Sequence, residues 1–98
     1  MQYFIADIRL PEDPEPAFFS HIPAQREVVD RMIEDGDICQ YALKEDRSRL
    51  WVIFLAESEE QVWEWLGAFP MISWMQPEVS PLMFFQDAPS TLPAFSLN

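Results

Sequence analysis

The stretch LWVIFLA at residues 50–56 decides the fold, because it is apolar on both faces of a predicted β-strand. One face carries Leu50, Val52, Phe54 and Ala56, and the other carries Trp51, Ile53 and Leu55. A strand with one solvated face alternates apolar and polar residues instead. Residues 50–56 therefore predict a strand that is covered on both sides.

Three further strands are predicted around this one. Residues 2–10 alternate and are rich in β-formers, and residues 37–45 pair with 49–57 around the polar turn EDRS. Residues 76–85 form the last strand. Its prolines, Pro77 and Pro81, cannot donate to a sheet ladder and place it at an edge.

Two helical segments alternate with these strands. Residues 17–35 have helical spacing, with a break expected at Pro23, a main helix from about Pro23, and Gly36 as its C-terminal cap. Ser58 followed by Gln61 is a capping-box signal for the second helix, which Pro70 ends.

The order is thus β-α-β-β-α-β, an α+β fold of the ferredoxin-like kind with an antiparallel sheet. Two helices can cover only one face of such a sheet, so the second apolar face of 50–56 needs another cover. A second copy packed sheet against sheet would form a dimeric α+β barrel. We expect one domain over residues 1–87 and a tail over 88–98 that docks on a partner subunit through its apolar side chains.

Composition excludes several classes of partner. The formal net charge is −11, and no Lys or Arg follows Arg49. Such a surface repels phosphate backbones, so we expect no nucleic acid and no membrane as partner. Cys39 is the sole cysteine, no signal peptide is evident, and the longest apolar run is too short to cross a bilayer. A cytoplasmic protein is predicted.

The C-terminal half carries a recognisable pattern: a helix ending in Leu-x-x-x-Pro, an aromatic–Met pair, and then Glu-Val-x-x-Leu. The positions are Leu66, Pro70, Trp74, Met75, Glu78, Val79 and Leu82. Together with the RLPEDPEP exit from the first strand, this pattern resembles the muconolactone isomerase family over residues 1–87. We interpret most of the motif as packing residues of the core and interface.

The resemblance implies a cofactor-free enzyme that moves a proton within an unsaturated lactone bearing a carboxylate. That chemistry needs a base, a group that stabilises the dienolate, and a cation for the carboxylate. The resemblance places the pocket among the first strand, the start of the first helix and the strand faces.

The candidate catalytic bases are His21, beside Pro23 where the family pocket would open, and Glu27, one turn into the main helix. A partly exposed histidine and a solvated carboxylate are the alternative interpretations. The family has ionisable residues near positions 24 and 25, whereas this chain has Ala24 and Gln25.

The candidate substrate-binding residues are Tyr3, Asp7 and Arg9, which share one strand face by alternation, and Tyr41 on the second strand. Arg9 is the best cation for an anionic ligand and matches a lysine in the family. Asp7 and Arg9 also fit a simple surface pair. Gln40 and Tyr41 should lie on opposite faces.

Other chemistries have no support in the sequence. One His and one Cys give no metal-ligand spacing, and Lys44, Arg47 and Arg49 are predicted to be solvated around the hairpin turn. The leading hypothesis is a homo-oligomer that binds a small organic acid or lactone, with proton-transfer isomerisation as the implied activity. A non-catalytic small-molecule-binding or oligomerisation module and a cofactor-independent monooxygenase remain the alternatives.

Overall fold

The computed structural model of the chain describes residues 1–87. The elements in chain order are β1 (Gln2–Arg9), α1 (Pro16–Ser20), α2 (Ile22–Glu34), β2 (Ile38–Leu43), β3 (Arg49–Ala56), α3 (Glu59–Gly67), a 3-10 helix (Ile72–Trp74) and β4 (Gln76–Pro81). The predicted docking of residues 88–98 on a partner lies outside the described residues.

The four strands form one antiparallel sheet with the order β2-β3-β1-β4. This is the predicted ferredoxin-like arrangement, with β4 at an edge as its prolines indicated. β4 ends earlier than predicted, at Pro81 instead of residue 85. The ladder closes with the Leu82 amide, which donates to the Tyr3 carbonyl at 2.9 Å, and the chain then leaves the sheet.

The helix boundaries follow from capping chemistry. Pro23 lies in the first turn of α2, where a missing backbone N–H costs no intrahelical bond, and α1 ends just before it. Gly36 has a φ of +84°, the left-handed conformation that closes α2. The Ser58 hydroxyl accepts a hydrogen bond from the Gln61 amide at 3.2 Å, as the capping signal predicted for α3.

The core lies between the helices and one face of the sheet. Its fully enclosed members are Ala6, Ile8, Val52 and Phe54 from the strands and Val62 and Leu66 from α3. Val29 of α2 and Phe69 after α3 belong to the same cluster. The helices therefore cover one face, as predicted.

The opposite face of the sheet is called the open face here. It carries alternate residues of the two central strands: Tyr3, Ile5, Asp7 and Arg9 from β1, and Arg49, Trp51, Ile53 and Leu55 from β3. In the single chain Trp51, Ile53 and Leu55 stay partly exposed while their neighbours in sequence are buried. The second apolar face of 50–56 is thus left without a cover from residues 1–87.

The different burial of two phenylalanines predicts that their replacement by alanine destabilises the protein to very different degrees. Phe54 is 0% exposed, whereas Phe19 on α1 is 50% exposed. We expect Phe54→Ala to lower the free energy of unfolding by about 3–5 kcal/mol, because it leaves a cavity in the core. Phe19→Ala is the matched control and should cost below about 1 kcal/mol. Urea unfolding followed by circular dichroism measures both, and equal losses would contradict this description of the core.

Candidate functional site

The open face has a charged end and an apolar end. The strand register fixes this, because residues opposite one another form rows across the sheet. Two neighbouring rows at the charged end consist of Arg49, Arg9 and Gln76, and of Trp51, Asp7 and Glu78. The next rows contain Ile53 beside Ile5 and Leu55 beside Tyr3. Polar recognition groups are therefore concentrated at the end where β1 leaves the sheet.

One ion pair organises the charged end. Nη1 of Arg49 donates to both carboxylate oxygens of Asp7, at 3.0 Å to Oδ1 and 2.9 Å to Oδ2. The prediction that Arg49 is solvated at the hairpin is right only in part: its side chain is 37% exposed, but antiparallel pairing brings it diagonally across from Asp7. The Asp7–Arg9 surface pair does not form either. Within residues 1–87, Arg9 has no ion-pair partner.

Two cavities lie at this charged end. The larger, of about 440 Å³, is lined by Arg9, Leu10, Pro11, Glu12, Ser48, Arg49, Trp74 and Gln76. The smaller, of about 200 Å³, is lined by Asp7, Arg9, Arg49, Gln76 and Glu78. Because both arginines and Gln76 line both cavities, the two spaces are parts of one recess around the end of the sheet.

Trp74 forms an aromatic wall of the larger cavity. It ends the 3-10 helix that connects α3 to β4. Its indole Nε1 donates to Oε2 of Glu15 at 2.8 Å. The rings of Phe18 and His21 lie with their centroids 5.8 Å and 5.2 Å from that of Trp74. Residues from the start of the helical region thus fix the position of this wall.

His21 lies at the junction of α1 and α2 and is exposed. Its Nδ1 is 2.7 Å from the Ala17 carbonyl oxygen, which can only accept, so we assign the proton of the neutral ring to Nδ1. The free lone pair is then on Nε2. His21 lines neither cavity, but its ring contacts Trp74, which does.

Glu27 is exposed on α2 and lines neither cavity. Two residues earlier, Gln25 is 3% exposed, and its Oε1 accepts from the Met71 amide at 3.1 Å. The amide therefore ties α2 to the turn after α3. Gln25 is thus a neutral residue with a structural role, at a position near which the family has ionisable residues.

The two tyrosines lie on opposite faces of the sheet. Tyr3 is at the apolar end of the open face, with its ring 5.5 Å from that of Phe85. Tyr41 is opposite Val52 and so points to the helix side, while Gln40 is opposite Ile53 on the open side. Burial raises the pKa of the Tyr41 hydroxyl, although the nearby Gln25 side chain and the charge of Arg26 oppose the rise.

Of the predicted site residues, Asp7 and Arg9 thus line the same recess, and Tyr3 lies on the same face, two rows from Asp7 and three from Arg9. Arg49, Gln76 and Glu78 belong to the recess but were not predicted, and Trp74 was assigned only to packing. Counting the register between the predicted first and third strands would have found Arg49. Trp74 had no comparable signal, because its position depends on the turn after α3.

Two structural properties bear on the class of protein. Within residues 1–87, no group of three or more His, Cys, Asp or Glu side chains is placed to hold a metal ion. In the same range, every helix is too short or too polar to span a bilayer.

The model of the muconolactone delta-isomerase family matches residues 1–88. The chain belongs to this family. A crystal structure of muconolactone isomerase is similar, with a TM-score of 0.66 and 22% identity, covering 93% of this chain and 95% of that one. Protein Atu4242 from Agrobacterium tumefaciens is also similar, with a TM-score of 0.53 and 16% identity, covering 91% and 98%. No curated protein sequence matches the chain significantly.

The family membership confirms the resemblance found in the sequence. At these identities the structural matches show the shared α+β fold. Membership in the muconolactone delta-isomerase family therefore rests on residues 1–88, and the chemistry must be argued from the recess itself.

Proposed function

We propose that this protein binds a small organic acid or lactone in the recess at the charged end of the open face, with Arg9 as the anchor for a carboxylate. The observation that carries the proposal is the position of Arg9, which lines both cavities without an ion pair among residues 1–87. A guanidinium matches the two oxygens of a carboxylate with a pair of parallel hydrogen bonds.

The charges around the recess leave Arg9 as the contact for an anionic ligand, because the lining combines two guanidiniums, Arg9 and Arg49, with three carboxylates, Asp7, Glu12 and Glu78. The chain has 6 Lys and Arg residues against 17 Asp and Glu residues, and two of those six line the recess. An anionic ligand is repelled by most of such a surface, so it needs a local positive site. Arg49 is already held by Asp7, which leaves Arg9 as the guanidinium available to the ligand.

The proposed reaction is a cofactor-free proton transfer within an unsaturated lactone. A base breaks a C–H bond and takes the proton, the electron pair spreads over the dienolate, and the proton returns to a different carbon. His21 and Glu27 are the candidate bases. His21 is better supported, since its ring contacts the cavity wall and its Nε2 is the free nitrogen. Tyr41 takes no part in the proposed site, because it lies on the helix side.

A second function, binding without catalysis, is favoured by one observation. Neither His21 nor Glu27 lines the two cavities within the single chain. A binding module would use the same Arg9 anchor but would leave the ligand unchanged. Activity measurements separate the two functions.

We also propose that a second copy of the chain covers the open face. Trp51, Ile53 and Leu55 leave apolar surface partly exposed beside Ile5, and sheets of this kind are normally covered on apolar faces. The apolar rows would form the interface between copies. The charged end would then become a recess with a wall from the partner.

If Arg9 is the anchor, replacing it should weaken ligand binding more than replacing another cationic residue does. Arg9→Ala should weaken binding of a muconolactone-like acid about 10- to 100-fold, because the variant removes charged hydrogen bonds to the carboxylate. Lys44→Ala is the control, since Lys44 is paired with Asp46 at 3.6 Å and lines neither cavity. Calorimetric titration measures both dissociation constants. Equal losses would refute the role of Arg9.

The base assignment predicts loss of turnover without loss of binding. His21→Gln keeps a polar side chain but cannot take the proton, so we expect isomerisation to fall at least about 100-fold, in the range of general-base effects. The dissociation constant should change little. Proton NMR of the lactone, with the full-length protein, follows the reaction. Glu27→Gln is the parallel variant: if it alone abolishes turnover, Glu27 is the base, and if the unmodified protein leaves the lactone unchanged, the protein is a binder.

A further inference from the structure

We infer that Trp74 is the residue that makes the recess selective for a flat, unsaturated ring over a saturated ring with the same carboxylate. The inference rests on the proposed binding of a small acid or lactone. It adds a specificity determinant that the anchor Arg9 cannot supply, because a guanidinium recognises the carboxylate and not the ring that bears it.

The first step is the position of Trp74. Trp74 and Arg9 line the same cavity of about 440 Å³. A ligand whose carboxylate binds Arg9 therefore extends into a space that has an aromatic surface as one wall. Aromatic surfaces contact flat π-systems over more area than puckered rings, and favour them further through ring electrostatics.

The second step is the rigidity of this wall. The indole is held by three groups from the start of the helical region: the Glu15 carboxylate on Nε1, the Phe18 ring edge-on at 5.8 Å, and the His21 ring at 5.2 Å. A ring already fixed by its neighbours loses little conformational freedom when a ligand contacts it.

The third step concerns the number of charges on the ligand. Glu12 lines the larger cavity together with Arg9 and Arg49. A second carboxylate on the ligand would therefore encounter a like charge. The recess thus favours a monocarboxylate with a planar ring.

A second tryptophan provides a matched control. Trp63 on α3 donates from Nε1 to Oε2 of Glu59 at 3.2 Å, which reproduces the Trp74–Glu15 bond, but Trp63 is 43% exposed and lines neither cavity. Trp63→Leu therefore controls for the loss of an indole held by a glutamate. Trp74→Phe keeps a flat ring at the cavity and controls for folding.

The experiment titrates the full-length protein and these variants with two lactone monocarboxylates that differ only in whether the ring is unsaturated or saturated. The unmodified protein should bind the unsaturated lactone about three- to tenfold more tightly. Trp74→Leu should weaken binding of the unsaturated lactone about three- to tenfold more than binding of the saturated lactone, and so remove that preference. Trp63→Leu and Trp74→Phe should keep the preference.

The outcomes separate this inference from the proposed function. If Trp74→Leu retains the preference, or weakens both lactones equally while Arg9→Ala still weakens binding about 10- to 100-fold, Trp74 is not the selective wall and the carboxylate site stands. If Trp74→Leu does not fold, loss of the preference in folded Trp74→Phe overturns the inference, because a flat ring should suffice. If the unmodified protein binds neither lactone, the proposed function fails and this inference with it.

Discussion

The helices of this protein cover only one face of its sheet, and the rest of the structure depends on that one-sided cover. β3 is apolar on both sides, so its inward residues, with Phe54 at the centre, anchor the core while Trp51, Ile53 and Leu55 remain partly exposed. Burying the inward face stabilises the single chain. The outward face is then available for a second copy of the chain and for a ligand.

The charged end of the open face is a consequence of strand register. Because Arg9, Arg49 and Gln76 are opposite one another, three polar side chains converge where β1 leaves the sheet. The Asp7 carboxylate forms an ion pair with Arg49, and Arg9 stays available to a ligand. The same register places Ile5 and Ile53 one row beyond Asp7, so one surface combines a charged recess with a partly exposed apolar area.

The element order, the edge position of β4 and the caps of α2 and α3 were predictable from sequence, because each depends on local patterns such as alternation, Ser58 followed by Gln61, and Gly36 after a helix. The recess was only partly predictable. Arg9 and Asp7 share a strand and were found by alternation, whereas the ion pair of Arg49 was missed because its partner comes from the pairing of distant strands. Trp74 reaches the site through the turn that Gln25 ties to α2, and no local pattern encodes that contact.

The central claim is that the open face is buried between copies of this chain. It can be tested by recording isoleucine methyl NMR spectra in the presence of a soluble nitroxide, which broadens methyl groups that reach solvent. Ile22 and Ile33 are 37% and 47% exposed on α2 and serve as internal references. If a second copy covers the open face, these two references should broaden strongly, whereas Ile5 and Ile53 should give sharp signals that match those of the core residue Ile8. Broadening of Ile5 and Ile53 to the same degree as Ile22 would show an uncovered open face and contradict the account.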